Sequence, residues 1–151
     1  MEHRDFKTAG EALEISEEIS ILTAGCSMQP MLRQHRDLVI VKRIDRALKK
    51  GDVVLYPGND GKFILHRIIA VKNGSYIMRG DNNYFTEHDI NPDSIVGILK
   101  EFYRDGKYIH CETDKKYQLY TFYILHSYFP RYFWKRLLKP MLSKIKHRVI
   151  K

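Results

Sequence analysis

The strongest constraint on the fold is an Asn-Gly pair that lies between two apolar runs. Asn73-Gly74 separates residues 62–71 (KFILHRIIAV) from residues 75–79 (SYIMR). Both residues of such a pair tolerate the positive φ that a two-residue turn between antiparallel strands requires. The pattern therefore predicts a β-hairpin, and it also predicts which residues face each other across that hairpin.

Short β-branched or aromatic runs, separated by turn residues, continue on both sides of this hairpin. Asp105-Gly106 predicts a second hairpin, which joins residues 94–103 to residues 107–112. Further strands are predicted at residues 19–23, 37–42 and 52–56. This spacing indicates a mostly β fold, a compact domain of short antiparallel strands.

The distribution of charge divides the chain. It contains 26 Lys and Arg residues against 18 Asp and Glu, a net charge of +8. Residues 115–151 hold ten of these basic residues and no acidic one, so residues 1–114 are close to neutral. We therefore predict an acidic, helical segment at residues 1–18, a compact β-domain at residues 19–114, and an aromatic, basic and helical tail at residues 115–151.

The tail also has an unusual aromatic content. Nine of the 18 aromatic residues lie between Tyr117 and Trp134, before a basic stretch. This composition is typical of a segment at a membrane interface or against an acidic surface, although packing on the β-domain is an equally good interpretation. A helix over residues 117–129 is too short to cross a bilayer of about 30 Å. Nucleic acid is a less favoured partner, because no recognition module is visible.

Residues 1–18 contain no apolar run that could serve as a signal peptide or a membrane span. The two cysteines, Cys26 and Cys111, have no metal-ligand spacing and are predicted to be free thiols in a reducing compartment. We therefore expect a cytoplasmic protein, with peripheral contact to the inner face of the membrane through residues 117–151.

Residues 25–32 (GCSMQPML) predict a sharp turn around a serine. Gly25 lies two residues before Ser27, and Pro30 lies three residues after it. Such a turn can hold the hydroxyl away from the backbone, as a nucleophile requires. The pattern alone is weak, because many serines in small-residue turns only hydrogen-bond their own backbone.

A histidine and an aspartate are predicted to face each other across the first hairpin. Strand alternation puts His66 among apolar residues, where a lone histidine is usually a hydrogen-bonded core residue. A two-residue turn at Asn73-Gly74 pairs positions that sum to 147, which places His66 opposite Asp81. A histidine held by a carboxylate is the base that a serine nucleophile needs. The alternative for Asp81 is a turn-forming aspartate that closes a strand.

Five sequence blocks, in this order and spacing, resemble the type I signal peptidase superfamily over roughly residues 19–103. The blocks are residues 25–30 (GCSMQP), 50–56 (KGDVVLY), 66–69 (HRII), 79–83 (RGDNN) and 95–97 (IVG). Because the base position directly before Arg67 is His66, the chain is similar to the Ser-His branch. It most resembles the short bacterial members that have no membrane anchor.

The resemblance implies a signal-peptidase-like β-domain and a serine endopeptidase that cleaves a precursor or leader peptide. Ser27 would be the nucleophile, His66 the general base and Asp81 the acid that orients it. The endoplasmic-reticulum type carries acidic residues shortly after the corresponding block, which makes Glu87 and Asp89 alternative acids.

The resemblance also implies an oxyanion hole formed by the backbone N–H of Ser27, with the Gly25 turn allowing close approach. The substrate would be an extended peptide, added as a strand beside the site, with small side chains near the cut. No metal or organic cofactor is implied.

The chain also departs from the superfamily pattern. Cys26 precedes Ser27 where signal peptidases usually have glycine, an arrangement closer to the self-cleaving repressors. No N-terminal membrane anchor and no DNA-binding half are visible in the sequence. Two other functions therefore stay open: a non-catalytic module that binds peptides or acidic surfaces on the same fold, and a self-cleaving regulator. A role in maturing ribosomally made peptides rests on analogy.

Overall fold

An antiparallel sheet of short strands organises the chain in the computed structural model, which describes residues 11–13, 16–58 and 60–127. Its strands are β1 (Glu18–Leu22), β2 (Leu38–Lys42), β3 (Val53–Pro57), β4 (Phe63–Lys72), β5 (Ser75–Arg79), β6 (Glu87–Ile90), β7 (Gly97–Arg104) and β8 (Lys107–His110). A 3₁₀ turn (Pro92–Ser94) precedes β7, and a helix, α1 (Lys115–His126), follows β8. The mostly β fold with a C-terminal helix is thus confirmed. Residues 11–13 of the predicted N-terminal helix are helical, and most of its other residues lie outside the described ranges.

The strands follow the order β1-β2-β7-β3-β4-β5-β6, with β8 paired to β7. Both predicted hairpins are confirmed. Asn73 and Gly74 have φ angles of 51° and 77° at the turn between β4 and β5. Asp105 and Gly106 have φ angles of 48° and 83° between β7 and β8. These positive angles are what a two-residue hairpin turn requires, and they explain why the turn residues predicted the hairpins.

The register of the first hairpin changes within the sheet. Near the turn, Lys72 pairs with Ser75 as expected, but a bulge between Ile68 and Ala70 shifts the pairing by one residue. Beyond the bulge Arg67 pairs with Arg79, so the predicted pairing of His66 with Asp81 is wrong. A bulge inserts one residue into one strand only, and the turn sequence carries no signal for it.

The strand β6 was not predicted from the sequence. Its residues, Glu-His-Asp-Ile, lack the β-branched and aromatic content that identified the other strands. It forms an edge of the sheet beside β5, with Glu87 paired to Met78. Glu87, one of the alternative acids, therefore lies on an edge strand.

Two apolar clusters lie on opposite faces of β3 and β4. On one face Val53 and Leu55 of β3 pack with residues of the Ser27 turn. On the other face Val54 and Tyr56 pack with Ile68 of β4. Because strand residues alternate between faces, His66 shares the second face and Arg67 points to the first. Adjacent residues of β4 therefore enter different environments.

The helix α1 packs against the β-domain. The Asp114 side chain caps it by accepting the Tyr117 N–H at 2.8 Å. Tyr117 and Ile124 are buried, and their spacing of seven residues places them on the same face of the helix. The described part of the tail thus fits the packing interpretation, whereas the tail after residue 127 lies outside the described residues. Within the described ranges, no helix has the length and apolar content needed to cross a membrane.

Candidate functional site

The turn that carries Ser27 is anchored by its neighbours. Met28, Met31 and Leu32 are buried in the first apolar cluster, and the Leu32 N–H donates to the Met28 carbonyl at 2.9 Å. Ser27 itself is half-buried. The sharp turn predicted around Ser27 is present, and the half-buried serine lies beside three residues that anchor the turn in the core.

Residues 80–83 support this turn from the opposite side. The Asn82 backbone N–H donates to the Ser27 carbonyl at 2.7 Å, and the Asn82 side chain donates to the Cys26 carbonyl at 3.2 Å. A Cβ atom on Gly80 would lie 2.7 Å from the Ser27 carbonyl oxygen and 2.9 Å from the Ser27 Cβ. Glycine is therefore required at position 80 by close approach to the serine, a role that the sequence analysis missed although Gly80 stands in one of the quoted blocks.

His66 is buried on β4, and both of its ring nitrogens face polar groups. Nδ1 lies 2.9 Å from Glu87 Oε1 and 3.1 Å from the Tyr56 hydroxyl. Nε2 lies 3.5 Å from the side-chain nitrogen of Asn83. Because a carboxylate can only accept, the position of Glu87 favours the tautomer in which Nδ1 carries the proton of the neutral ring and Nε2 keeps its lone pair. This is the tautomer that a general base for a serine needs.

The environment of His66 favours its neutral form. Burial lowers the pKa of His66 below its ordinary value of 6.5, and the nearby Glu87 carboxylate opposes this effect only in part. The ring is therefore a proton acceptor at neutral pH.

Ser27 and His66 are connected through Gly80 and Asn83. The position of a Gly80 Cβ is 2.9 Å from both the Ser27 Cβ and the Asn83 side-chain nitrogen, and that nitrogen lies beside His66 Nε2. Among the hydrogen bonds of the described residues, none joins Ser27 to His66. Hydrogen bonds between catalytic groups are often long without substrate and shorten in the reacting complex.

Asp81 is engaged by an arginine rather than placed to orient His66. Arg67 holds it in a bidentate pair, with Nε to Oδ1 at 2.8 Å and the terminal nitrogen to Oδ2 at 2.7 Å. The Tyr120 hydroxyl of α1 donates to Oδ2 at 3.1 Å. The prediction of Asp81 as the orienting acid is therefore corrected: Glu87, an alternative acid, is the carboxylate at Nδ1. The bulge in β4 is the physical reason, since the prediction depended on an unbroken register.

The Arg67–Asp81 pair is fully enclosed. Arg67 is 0% exposed and Asp81 1% exposed. Arg67 also donates to the Gly51 carbonyl at 2.8 Å and to the Thr121 hydroxyl at 3.1 Å. Burial alone would lower the pKa of Arg67, but the opposing effect of the Asp81 carboxylate outweighs it. The pKa of Arg67 is therefore raised, and the guanidinium stays charged. These contacts join β4, the Asp81 turn and α1.

The two alternative acids differ in position. Glu87 is partly buried beside His66, whereas Asp89, two residues further along β6, is exposed and has a φ angle of 57°. Of these two side chains, the one within ion-pair distance of the buried His66 ring is Glu87. The structure brings only Glu87 of these two acids to the base.

A groove of about 390 Å³ opens beside Ser27. It lies between the end of β1 and the start of β4, and its lining is mostly apolar, including Met28, Leu55 and Phe63. A Cβ atom on Gly25 would meet no atom within 4 Å, so the space beside this glycine is open. The predicted need for glycine at position 25 thus does not come from the protein's own atoms.

Within the described residues, the two cysteines and the residue types that can ligate metal ions form no metal site or disulfide. Cys26 and Cys111, both in the described part of the chain, are free thiols, and burial raises the pKa of Cys111 to about 12. No group of three His, Cys, Asp or Glu residues that could hold a metal ion occurs within residues 11–13, 16–58 and 60–127.

Comparison of the chain with models of known protein families found no match, and comparison with curated proteins found none either.

Proposed function

We propose that the chain is a serine endopeptidase of the signal-peptidase type, which cleaves a precursor or leader peptide. Ser27 is the nucleophile, His66 the general base and Glu87 the acid that orients the base. The observation that carries this proposal is the buried His66, whose Nδ1 faces the Glu87 carboxylate while its Nε2 faces the residues that support Ser27.

The reaction follows from this arrangement. Nε2 of His66 takes the proton of the Ser27 hydroxyl as the oxygen attacks the peptide carbonyl. The imidazolium is stabilised by Glu87 and gives its proton to the leaving amine, which leaves an acyl-enzyme on Ser27. The same base then activates a water that releases the acyl group.

The backbone N–H of Ser27 supplies the oxyanion hole in this proposal. The Cys26 carbonyl, which shares a peptide plane with the Ser27 N–H, accepts a hydrogen bond from the Asn82 side chain at 3.2 Å, and this contact fixes that plane. Among the turn and loop hydrogen bonds between backbone groups of the described chain, the Ser27 N–H is not a donor. A preorganised donor without another partner can be directed at the charge that develops on the substrate oxygen.

The groove beside Ser27 has the form needed for an extended peptide. One side is formed by β1, which lies at the end of the sheet order, and the other by residues 63–65 of β4, which precede the first pair with β5. A substrate strand can pair with unpaired backbone groups of these strands, while the apolar lining accepts its side chains. The resemblance to signal peptidases adds the expectation of small side chains at the cut.

The test is incubation of the purified protein with a proteome-derived peptide library, read by mass spectrometry, together with labelling by a fluorophosphonate. Wild-type protein should cleave library peptides and form an adduct on Ser27. The Ser27→Ala and His66→Ala variants should lose both activities while retaining the wild-type thermal transition.

Three results would replace this proposal. Cleavage by Ser27→Ala would exclude the mechanism. Binding of library peptides without cleavage or labelling would indicate the non-catalytic module. Cleavage of the protein's own chain alone, abolished in Ser27→Ala, would indicate the self-cleaving regulator.

An anionic membrane surface is the partner that we propose for α1 and the basic tail, which would place the protein at the inner face of a membrane. The face of α1 opposite to the buried Tyr117 and Ile124 exposes Leu119 by 70%, Phe122 by 61% and Tyr123 by 53%. The sequence from residue 115 onwards has ten basic and no acidic residues. Exposed apolar side chains together with positive charge fit anionic headgroups better than a neutral partner.

Vesicle sedimentation tests this contact. Full-length protein should bind vesicles that contain the anionic lipid phosphatidylserine and should not bind neutral vesicles. Leu119→Ser combined with Phe122→Ser should weaken binding without changing the charge. Val71→Ser, at an exposed apolar residue of β4, is the matched control. Equal binding by all variants would exclude α1 as the contact.

A further inference from the structure

We propose that the hydroxyl of Tyr56 is a positioning group that holds Glu87 against His66. The inference rests on the proposed function, because positioning the acid matters only if His66 acts as a base. It adds a residue from the core of β3, outside the predicted set of catalytic and alternative residues.

The pairing of β3 with β4 places Tyr56 beside the base. Val54 pairs with His66 and Tyr56 with Ile64, so Tyr56 and His66 are diagonal neighbours on one face of the sheet. Diagonal neighbours are within reach of a long aromatic side chain. Tyr56 is 1% exposed, so its hydroxyl must find a partner inside the protein.

The hydroxyl lies against the nitrogen at which the acid and the base meet. It lies 3.1 Å from His66 Nδ1, the nitrogen that also lies 2.9 Å from Glu87 Oε1. In the tautomer that carries its proton on Nδ1, this nitrogen cannot accept, so the hydroxyl presents its oxygen to Nδ1 and its own proton is left for Glu87, with which Tyr56 shares a side-chain hydrogen bond. Burial and the Glu87 carboxylate both raise the pKa of Tyr56, so the tyrosine keeps this proton.

Glu87 needs such a fixed partner because of its position. It lies on the edge strand β6, and its side chain is 26% exposed. A partly exposed carboxylate can turn towards water, and the His66 ring then loses the acceptor that selects its tautomer. A buried donor on the inner side of Glu87 opposes this movement. Packing alone would not need the hydroxyl, since phenylalanine fills the same volume.

The test is the rate of fluorophosphonate labelling of Ser27 in a double-mutant cycle. Tyr56→Phe should label about tenfold more slowly, as expected for loss of one hydrogen bond to a charged group. Combining it with Glu87→Gln should cause no further loss beyond about twofold, because the hydroxyl acts through the carboxylate. Tyr76→Phe, which packs against the same apolar cluster, is the matched control and should label at the wild-type rate.

A second measurement separates this inference from the proposed function. The ¹⁵N spectrum of His66 should show the Nδ1–H tautomer in the wild type and an increased Nε2–H fraction in Tyr56→Phe. Failure of the wild type to label would contradict the endopeptidase, while the tautomer would still report on Tyr56. Labelling of Tyr56→Phe at the wild-type rate, additive losses in the cycle, or an unchanged tautomer would each overturn the role of the tyrosine.

Discussion

His66 and Arg67 are adjacent on β4, and each is paired with a carboxylate, yet the two pairs are built differently. Arg67 and Asp81 are both enclosed, and Asp81 receives two hydrogen bonds from the guanidinium and one from Tyr120. His66 is buried too, but Glu87 lies on the sheet edge and is partly exposed. One pair is closed on all sides, and the other has one ring nitrogen left facing the site.

The difference fits a structural role for the Arg67–Asp81 pair and the catalytic role that we propose for the His66–Glu87 pair. The pKa of Arg67 is raised, so its guanidinium stays charged in the interior, and leaving it there without the Asp81 carboxylate is costly. His66 can change its protonation state near neutral pH, so its pair can take part in proton transfer. Alternation along one strand is enough to separate these roles, because neighbouring residues face opposite sides.

The largest effect is expected from Asp81→Ala. Removing this carboxylate leaves the buried Arg67 charge without its main partner, so the free energy of unfolding should fall by about 3–5 kcal/mol. Urea denaturation measures the loss. Asp93→Ala, at an exposed aspartate of the 3₁₀ turn, is the control and should change the free energy of unfolding by less than about 0.5 kcal/mol. Equal transitions for the two variants would show that the enclosed pair does not stabilise the fold.

The two carboxylates also show what the sequence could and could not predict. The turns at Asn73-Gly74 and Asp105-Gly106 depend on local backbone preferences, so their hairpins were predictable. The partner of His66 depends on a bulge two to four residues away from it in β4, which arises from packing of the whole sheet. The prediction that Asp81 faces His66 was therefore wrong, although the sequence had identified both Asp81 and Glu87 as candidate acids.

Glu87 was identified only as an alternative, and for a similar reason. Its strand is polar and carries no strand pattern, so periodicity gave no position for the side chain. The Ser27 turn was easier to predict because Pro30 and the core anchors act within a few residues. Contacts between distant segments, such as Gly80 with Ser27, required the three-dimensional structure.

The second largest effect is expected from Glu87→Gln. The amide keeps the shape of the side chain but cannot stabilise the imidazolium, so labelling of Ser27 should slow by about 10²-fold or more. The free energy of unfolding should change by less than about 1 kcal/mol, because the site is partly exposed. Asp89→Asn on the same strand is the control. A variant that labels normally would remove Glu87 from the mechanism and end the contrast with Asp81.

A smaller effect is expected from Gly80→Ala, which tests the support of the serine. The new methyl group would lie closer to the Ser27 carbonyl than atoms tolerate, so the turn must shift. The cost should be about 1–3 kcal/mol of unfolding free energy, together with slower labelling.

Gly74→Ala is the control for stability alone. Its φ of +77° makes alanine strained there, but no atom lies within 4 Å of the added Cβ, and the turn is remote from Ser27 along the hairpin. Loss of stability in both variants with slower labelling only in Gly80→Ala would establish the specific role of position 80.

The smallest effect concerns pH, and it tests how the charge of Glu87 acts on His66. Burial lowers the pKa of His66 in the folded protein below its ordinary 6.5, so the base should stay neutral and labelling should persist as pH falls to about this value. Below it, the unfolded chain binds the proton first, so any stability associated with neutral His66 is lost as pH falls towards the lower folded pKa. The Glu87 carboxylate raises the pKa of His66, so the acid limb of the labelling profile should move to still lower pH in Glu87→Gln. Movement of that limb to higher pH would show that Glu87 does not act on His66 as a charge. The contrast between the Arg67–Asp81 pair and the His66–Glu87 pair would then not hold.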